Sequence, residues 1–171
     1  MEHVRVVCET SRLILRQFTR DDLEPLAAMH LDVEVGRFIG VKTVEQTREG
    51  LEQWLAQYER YGFSKWAVVL RGGEELVGRC GLSLERIDGA DVWELGWTFA
   101  RAYWGNGYAT EAAQAAMEYS FRVLGHRRLI SLIRLGNVAS VRVAEKIGMK
   151  YERRVQWNGR PADMYARIAV P

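Results

Sequence analysis

Residues 103–113 read YWGNGYATEAA, and the reading of Asn106-Gly107 inside them decides the fold around it. Asn-Gly between two strand-like runs marks a two-residue hairpin. A strand-like run does come before it, DVWELGWTFA (91–100). The run after it is helical: Ala109, Ala112, Ala113, Ala116, Ser120 and Leu124 trace one narrow face over about 107–124, with Glu111, Gln114, Glu118 and Arg122 pointing away. The second Asn-Gly, Asn158-Gly159, lies between KYERRVQW (150–157) and PADMYARIAV (161–170), both strand-like, so that one is the hairpin. The first is a glycine loop opening a helix. Its free N–H groups and the helix dipole would favour an anion.

Working outward, SKWAVVLR (64–71), EELVGRCGLSLER (74–86) and DVWELGWTFA form an antiparallel meander, turned at Gly72-Gly73 and Asp88-Gly89. Upstream, SRLILRQF (11–18) alternates as a strand. TRDDLEPLAAMH (19–30) opens a helix at Thr19 or Asp21, with Leu23, Leu26, Ala27 and His30 at helical spacing. A longer helix runs from Val44 to Tyr61, with Thr47, Leu51, Trp54, Leu55 and Tyr58 on one face. Downstream, RRLISLIRL (127–135) is a buried strand and NVASVRVAEKIG (137–148) a short helix capped by Asn137.

The 171 residues suit a single domain, 1–171, able to bury its own core. A net charge of +2, from 24 basic and 22 acidic residues, argues against a nucleic-acid partner. Cys8, Cys80 and three scattered histidines have no metal-ligand spacing, and both thiols read as reduced and packed. No apolar run approaches a membrane span, and MEHVRVVCET has no signal-peptide core, so the cytoplasm is the default location.

Two phosphate-binding motifs fail at the loop. No Lys follows Gly107 as a P-loop requires, and Thr110 stands where a dinucleotide fingerprint needs its third glycine. Instead, SRLILRQFTRDDL, ELGWTFARAYWGNGYATEAAQAAMEYSF and NVASVRVAEKIGM together resemble the GCN5-related N-acetyltransferase (GNAT) superfamily, most closely its RimJ/RimL-like ribosomal-protein branch. The resemblance implies an α/β (α+β) fold. Its mixed, mostly antiparallel twisted sheet of about seven strands would be flanked by about four helices, with a splayed strand pair binding acetyl-CoA. It assigns the pyrophosphate to backbone groups of Gly105, Asn106, Gly107, Tyr108, Ala109 and Thr110. The pantetheine arm would lie along Trp97, Thr98 and Phe99. Asn137 and Ser140 match the family's Asn-x-x-Ser helix start, with Arg142 as a further cofactor contact. Trp104 and Met149 depart from the commoner superfamily residues at their positions.

Acetylating an amine requires loss of its proton, stabilisation of the thioester oxygen, and a proton for the departing thiolate. Direct attack in a ternary complex needs no enzyme nucleophile. Glu94, between Trp93 and Leu95, is the leading general base, on the expectation that apolar surroundings raise its pKa. Ser140 is the candidate donor to the sulfur, with Tyr108 and Tyr165 as weaker ones, and the oxyanion donor is expected among the N–H groups near Gly96–Thr98. The acceptor amine is left open between a protein N-terminus, a polyamine-like metabolite and an aminoglycoside. A non-catalytic acyl-CoA sensor, another CoA-linked acyl transfer and a homodimer are open as well. Acceptor choice is expected from 31–44 and 157–163, with Phe38, Trp66, Trp157 and Asp163 around the pocket.

Overall fold

The computed structural model describes residues 4–170. Residues 1–3, part of the stretch read above for a signal peptide, and residue 171 lie outside the described residues. The order is β1 (Val6–Glu9), β2 (Leu13–Arg16), a 3-10 turn at Arg20–Asp22, α1 (Leu23–Leu31), α2 (Val33–Ile39) and α3 (Val44–Tyr61). Then come β3 (Lys65–Leu70), β4 (Leu76–Ile87), β5 (Ala90–Phe99), a 3-10 turn at Arg101–Tyr103 and α4 (Tyr108–Arg122). Last are β6 (Arg128–Arg134), α5 (Val138–Lys146), β7 (Lys150–Trp157) and β8 (Arg160–Ile168).

The eight strands form one sheet in the order β1-β2-β3-β4-β5-β6-β8-β7. Every neighbouring pair is antiparallel except β5 and β6. The count exceeds expectation by one strand and one helix. β1 is four residues at the sheet's rim, too short to carry a periodic signal. α2 is seven residues held at its start by Asp32, whose Oδ1 accepts from Glu34 N at 2.8 Å and Val35 N at 3.4 Å.

Local chemistry explains the turns. Asp88-Gly89 and Asn158-Gly159 both have positive φ at each residue (49° and 81°, 48° and 69°), as a type I′ hairpin demands. α3 begins in a reciprocal box, Thr43 Oγ1 accepting from Gln46 N and Gln46 Oε1 from Thr43 N, and ends at left-handed Gly62. Asn137 Oδ1 caps α5 by accepting from Ser140 N at 3.2 Å.

The sheet has two unlike faces. Behind it, α4 and α5 bury Ala112, Ala113, Ala116, Ala144 and Ile147 against Leu13, Trp66, Cys80, Leu82 and Leu95. The alanine stripe brings the helix close to the strands, as expected. In front, α1, α2 and α3 cover one end through Leu26, Met29, Val35 and Leu51. A smaller cluster of Ile130, Leu132, Val155 and Met164 covers the other. Between the two front clusters the central strands present Lys65, Arg79, Ser83 and Glu94, a charged floor where a sheet normally packs apolar residues.

Candidate active site

β5 and β6 run parallel but touch in register at one pair, Glu94 opposite Ile130. Beyond it they diverge, and Ser131 Oγ bridges back to Leu95 O at 2.6 Å. Antiparallel pairing alternates, so with Leu95 and Phe99 carbonyls turned toward β6, Trp97 turns its N–H and C=O into the opening as well. Thr98, opposite Arg79, spends its backbone on β4. The Phe99 carbonyl is taken by Trp104 Nε1 at 2.8 Å. The expected run Trp97, Thr98, Phe99 is therefore divided: Trp97 offers backbone and Thr98 its side chain.

The glycine loop comes next along the chain. Gly105 and Gly107 both sit at φ 79°, the left-handed region that favours glycine, and Gly107 is the N-cap of α4. The first helical bond is Glu111 N to Gly107 O, so the N–H groups of Tyr108, Ala109 and Thr110 have no intrahelical partner. Asn106 serves the loop itself: its Nδ2 donates to the carbonyls of Tyr103 and Trp104 at 3.1 and 3.3 Å. Sequence reasoning missed the tether beneath it. Arg12 donates to Asn106 O at 2.9 Å, meets Glu111 Oε2 at 2.6 Å and lies 4.7 Å from the Tyr108 ring centre. Glu111, expected to point away, turns back instead and also accepts from Thr10 Oγ1 at 2.5 Å. Burial alone would raise its carboxyl pKa, but the bonds from Thr10 and Arg12 outweigh burial and hold it below the usual range.

Two cavities meet at this point. One, about 340 Å³, is lined by the loop, the start of α4, Phe99 and α5 residues Ala139 and Val143. The other, about 390 Å³, lies over the charged floor. Trp97, Thr98, Asn137, Ser140, Phe38 and Ile39 line both and form their common wall. Arg142 is exposed and lines neither, and Asn106 is also outside both linings.

Glu94 lies on the floor of the second cavity, but its surroundings are not apolar as expected. Oε2 receives Lys65 Nζ and Ser83 Oγ, each at 3.0 Å, while Lys65 also donates to Gly81 O. Gly96 makes room for this cluster, since a Cβ there would come within 2.9 Å of both carboxylate oxygens and of Lys65 Nζ. Phe38 and Trp157 line the same cavity. Trp66 does not, because it is fully buried behind the sheet against Tyr119. Tyr165 packs on Tyr151 and Asp163 pairs with Arg154 at 2.8 Å, both away from the two cavities. Neither thiol lines either cavity. Burial pushes Cys80 up to about 12, and burial with nearby Glu118 pushes Cys8 up to about 11.

The residue pattern of the acetyltransferase (GNAT) domain matches positions 12–150. The chain is a GNAT acetyltransferase. It is 39% identical over 162 residues to the Bacillus subtilis protein YkkB, covering 92% of this chain and 93% of that one. It is 32% identical over 145 residues to the uncharacterized N-acetyltransferase YnaD of the same organism, covering 84% and 82%. A GNAT-family acetyltransferase from Bacillus anthracis superposes with a TM-score of 0.78 at 31% identity, covering 94% and 96%. At lower identity the fold is also that of a RimL ribosomal L7/L12 alpha-N-protein acetyltransferase bound to coenzyme A (22%, TM-score 0.78). It is shared too by the aminoglycoside acetyltransferase AAC(6')-Ib in complex with coenzyme A (17%, TM-score 0.75). The acetyltransferase thus moves an acyl group from acetyl-CoA. Among the described residues, no helix is long and apolar enough to cross a membrane.

Proposed function

We propose that this acetyltransferase moves the acetyl group directly to a primary amine seated over the charged floor. The supporting observation is the common wall of the two cavities, with the free N–H groups of α4 on one side and Glu94 on the other. In this reading the pyrophosphate rests on Tyr108–Thr110 and the pantetheine arm pairs with Trp97. When bound, acetyl-CoA supplies the activated thioester. Trp97 N–H, the β5 donor facing the opening, holds the thioester oxygen. Ser140 Oγ, on the common wall, donates a hydrogen bond that steadies the departing thiolate, which takes its proton from solvent while Glu94 gives the amine's proton back to solvent.

An ordinary amine is protonated at neutral pH, with a pKa of about 10. The chamber is lined by Lys42, Lys65 and Arg79, whose charge disfavours a further cation and lowers the pKa of a bound amine. The amine is therefore bound neutral. Its remaining proton becomes acidic as the N–C bond forms, so a carboxylate can accept it. Lys65 and Ser83 hold Glu94 by Oε2, and Oε1 is the oxygen that takes the proton. The likeness to the ribosomal-protein branch supports a protein N-terminal amine as one form of acceptor.

Thiol release from acetyl-CoA, followed across a panel of amines, tests this reading. Glu94→Gln should depress turnover about 100-fold, the scale of general-base assistance, with the calorimetric affinity for acetyl-CoA unchanged. Wild-type turnover in that variant would remove Glu94 from the chemistry. Tight acetyl-CoA binding without thiol release for any amine would make the protein a sensor.

A further inference from the structure

The charge around the chamber is lopsided. Lys42, Lys65, Arg79, Arg134 and Arg160 line the chamber against only Glu85 and Glu94, a formal excess of three positive charges. Glu94 is committed to Lys65, and Glu85 accepts from the Trp157 indole at 2.9 Å. Arg134 spends its Nη1 on the carbonyls of Trp157, Arg160 and Pro161.

Arg79 stands out among these cations. It is only 8% exposed, yet no carboxylate among the described residues pairs with it. Its Nε donates to His30 Nε2 at 3.4 Å and its Cζ lies 5.4 Å from the Trp54 ring centre. The rest of the guanidinium fork is left toward the chamber. Burial pulls its pKa down to about 10, with Glu94 opposing that shift, so it stays charged at neutral pH. Half-buried Lys42, beside it on the chamber wall, likewise has no ion pair among the described residues, and its pKa is lowered by burial and by the charges of Arg79 and Lys65. Buried cations without counterions are costly, and such groups in a cleft mark a binding site.

We propose, building on the acetyltransferase reading, that the acceptor is an amine that also carries an oxyanion group, a carboxylate or a phosphate, seated on Arg79 and Lys42. His30 is the positioning residue. It is buried and neutral, with Nδ1 against Thr47 Oγ1 at 3.1 Å, which leaves Nε2 as the acceptor that orients the Arg79 fork. Arg79 lies opposite Thr98 and Glu94 lies four residues earlier on β5, about 13 Å along the strand. The chamber therefore has an anion seat and a separate carboxylate. A polycation such as a polyamine or an aminoglycoside meets like charge at that seat.

The test uses four amines of similar length: 4-aminobutyrate, its primary amide, 3-aminopropylphosphonate and 1,4-diaminobutane. At low salt kcat/KM for the carboxylate or the phosphonate should exceed that for the amide about tenfold, and the diamine by more. The better of the two anions identifies the source. In Lys42→Met and Arg79→Met this preference should collapse through KM for the anionic amine rather than through kcat. Glutarate and inorganic phosphate, titrated by calorimetry into the wild type and Lys42→Met, report on the seat without turnover; binding that is lost in the variant supports it. Should Arg79→Met misfold, Lys42→Met carries the comparison. Equal or better use of the amide or diamine, or binding of both anion probes that is absent or unchanged in Lys42→Met, overturns the proposal. Failure of every amine to elicit thiol release, alongside intact glutarate binding, would remove the transferase reading and leave the anion seat standing.

Discussion

Lys65 and Glu94 allow a quantitative check on the charged floor. Their side chains are 8% and 9% exposed and 3.0 Å apart. At an effective dielectric of about 20 the gross attraction at that distance is about 5.5 kcal/mol, most of which offsets the desolvation of both ions. Removing one partner leaves the other charge buried and uncompensated, which costs about 3–5 kcal/mol. The chamber opens on one side of the pair, so the lower end, about 3 kcal/mol, is expected for Lys65→Met and for Glu94→Gln. For a chain of this size, with an unfolding entropy of about 0.36 kcal/mol/K, that lowers Tm by about 8 °C. The double variant leaves no stranded charge and should come back to within about 1–2 kcal/mol of the wild type. Urea melts of the four proteins, with m unchanged across the set, give the coupling energy. Singles each costing under about 1 kcal/mol, or a double equal to their sum within about 0.5 kcal/mol, would refute the reasoning.

The tether and His30 each give a further expected outcome. Glu111→Ala releases Arg12 and with it the loop at Asn106; with Arg12 exposed but Glu111 only 17% exposed and also accepting from Thr10, the change should cost about 1–2 kcal/mol of stability, while acetyl-CoA binding weakens about fivefold by calorimetry. An unchanged affinity would show that the loop holds its shape without Arg12. Burial, with Arg79 and Lys42 alongside, lowers the His30 pKa to about 3. From pH 6.5 downward the unfolded chain therefore binds a proton that the folded one refuses, so stability falls with acidification by up to about 1.4 kcal/mol per pH unit, about 2 kcal/mol by pH 5. His30→Gln should flatten that slope in melts taken between pH 7 and 5. An identical slope would place its origin elsewhere.

The sequence was most informative where period and turn chemistry agree. α3 and β7 fall on their expected residues, and the two Asn-Gly pairs separate into hairpin and helix start because only one is flanked by strands on both sides. β1 and α2 escaped because four and seven residues carry too little periodicity. At the site, the loop was legible from Gly105 and Gly107, whereas the charged floor was not. Lys65 and Arg79 each sit singly in an apolar strand, in SKWAVVL and LVGRCGL. A lone charge in a buried strand was the available signal, but its partners come from other strands and from α1, which no local pattern reveals. The apolar surroundings expected for Glu94 are absent, since ionic and hydroxyl partners from neighbouring strands hold it.

The diverging β5 and β6 leave an unpaired strand edge in the interior of a sheet. At the outer rim β7 is guarded in the usual way, with Lys150, Glu152, Arg153 and Arg154 discouraging any second chain from pairing there. Trp97 carries no such guard, and in the proposed coenzyme placement a charge or a proline in the opening would obstruct the arm. Protection there rests on the narrow wedge between the strands and on Trp104, which caps the Phe99 carbonyl. On the proposed coenzyme placement this edge is bare in the empty protein and covered in the loaded one, so aggregation on standing, followed by light scattering, should slow when acetyl-CoA is added.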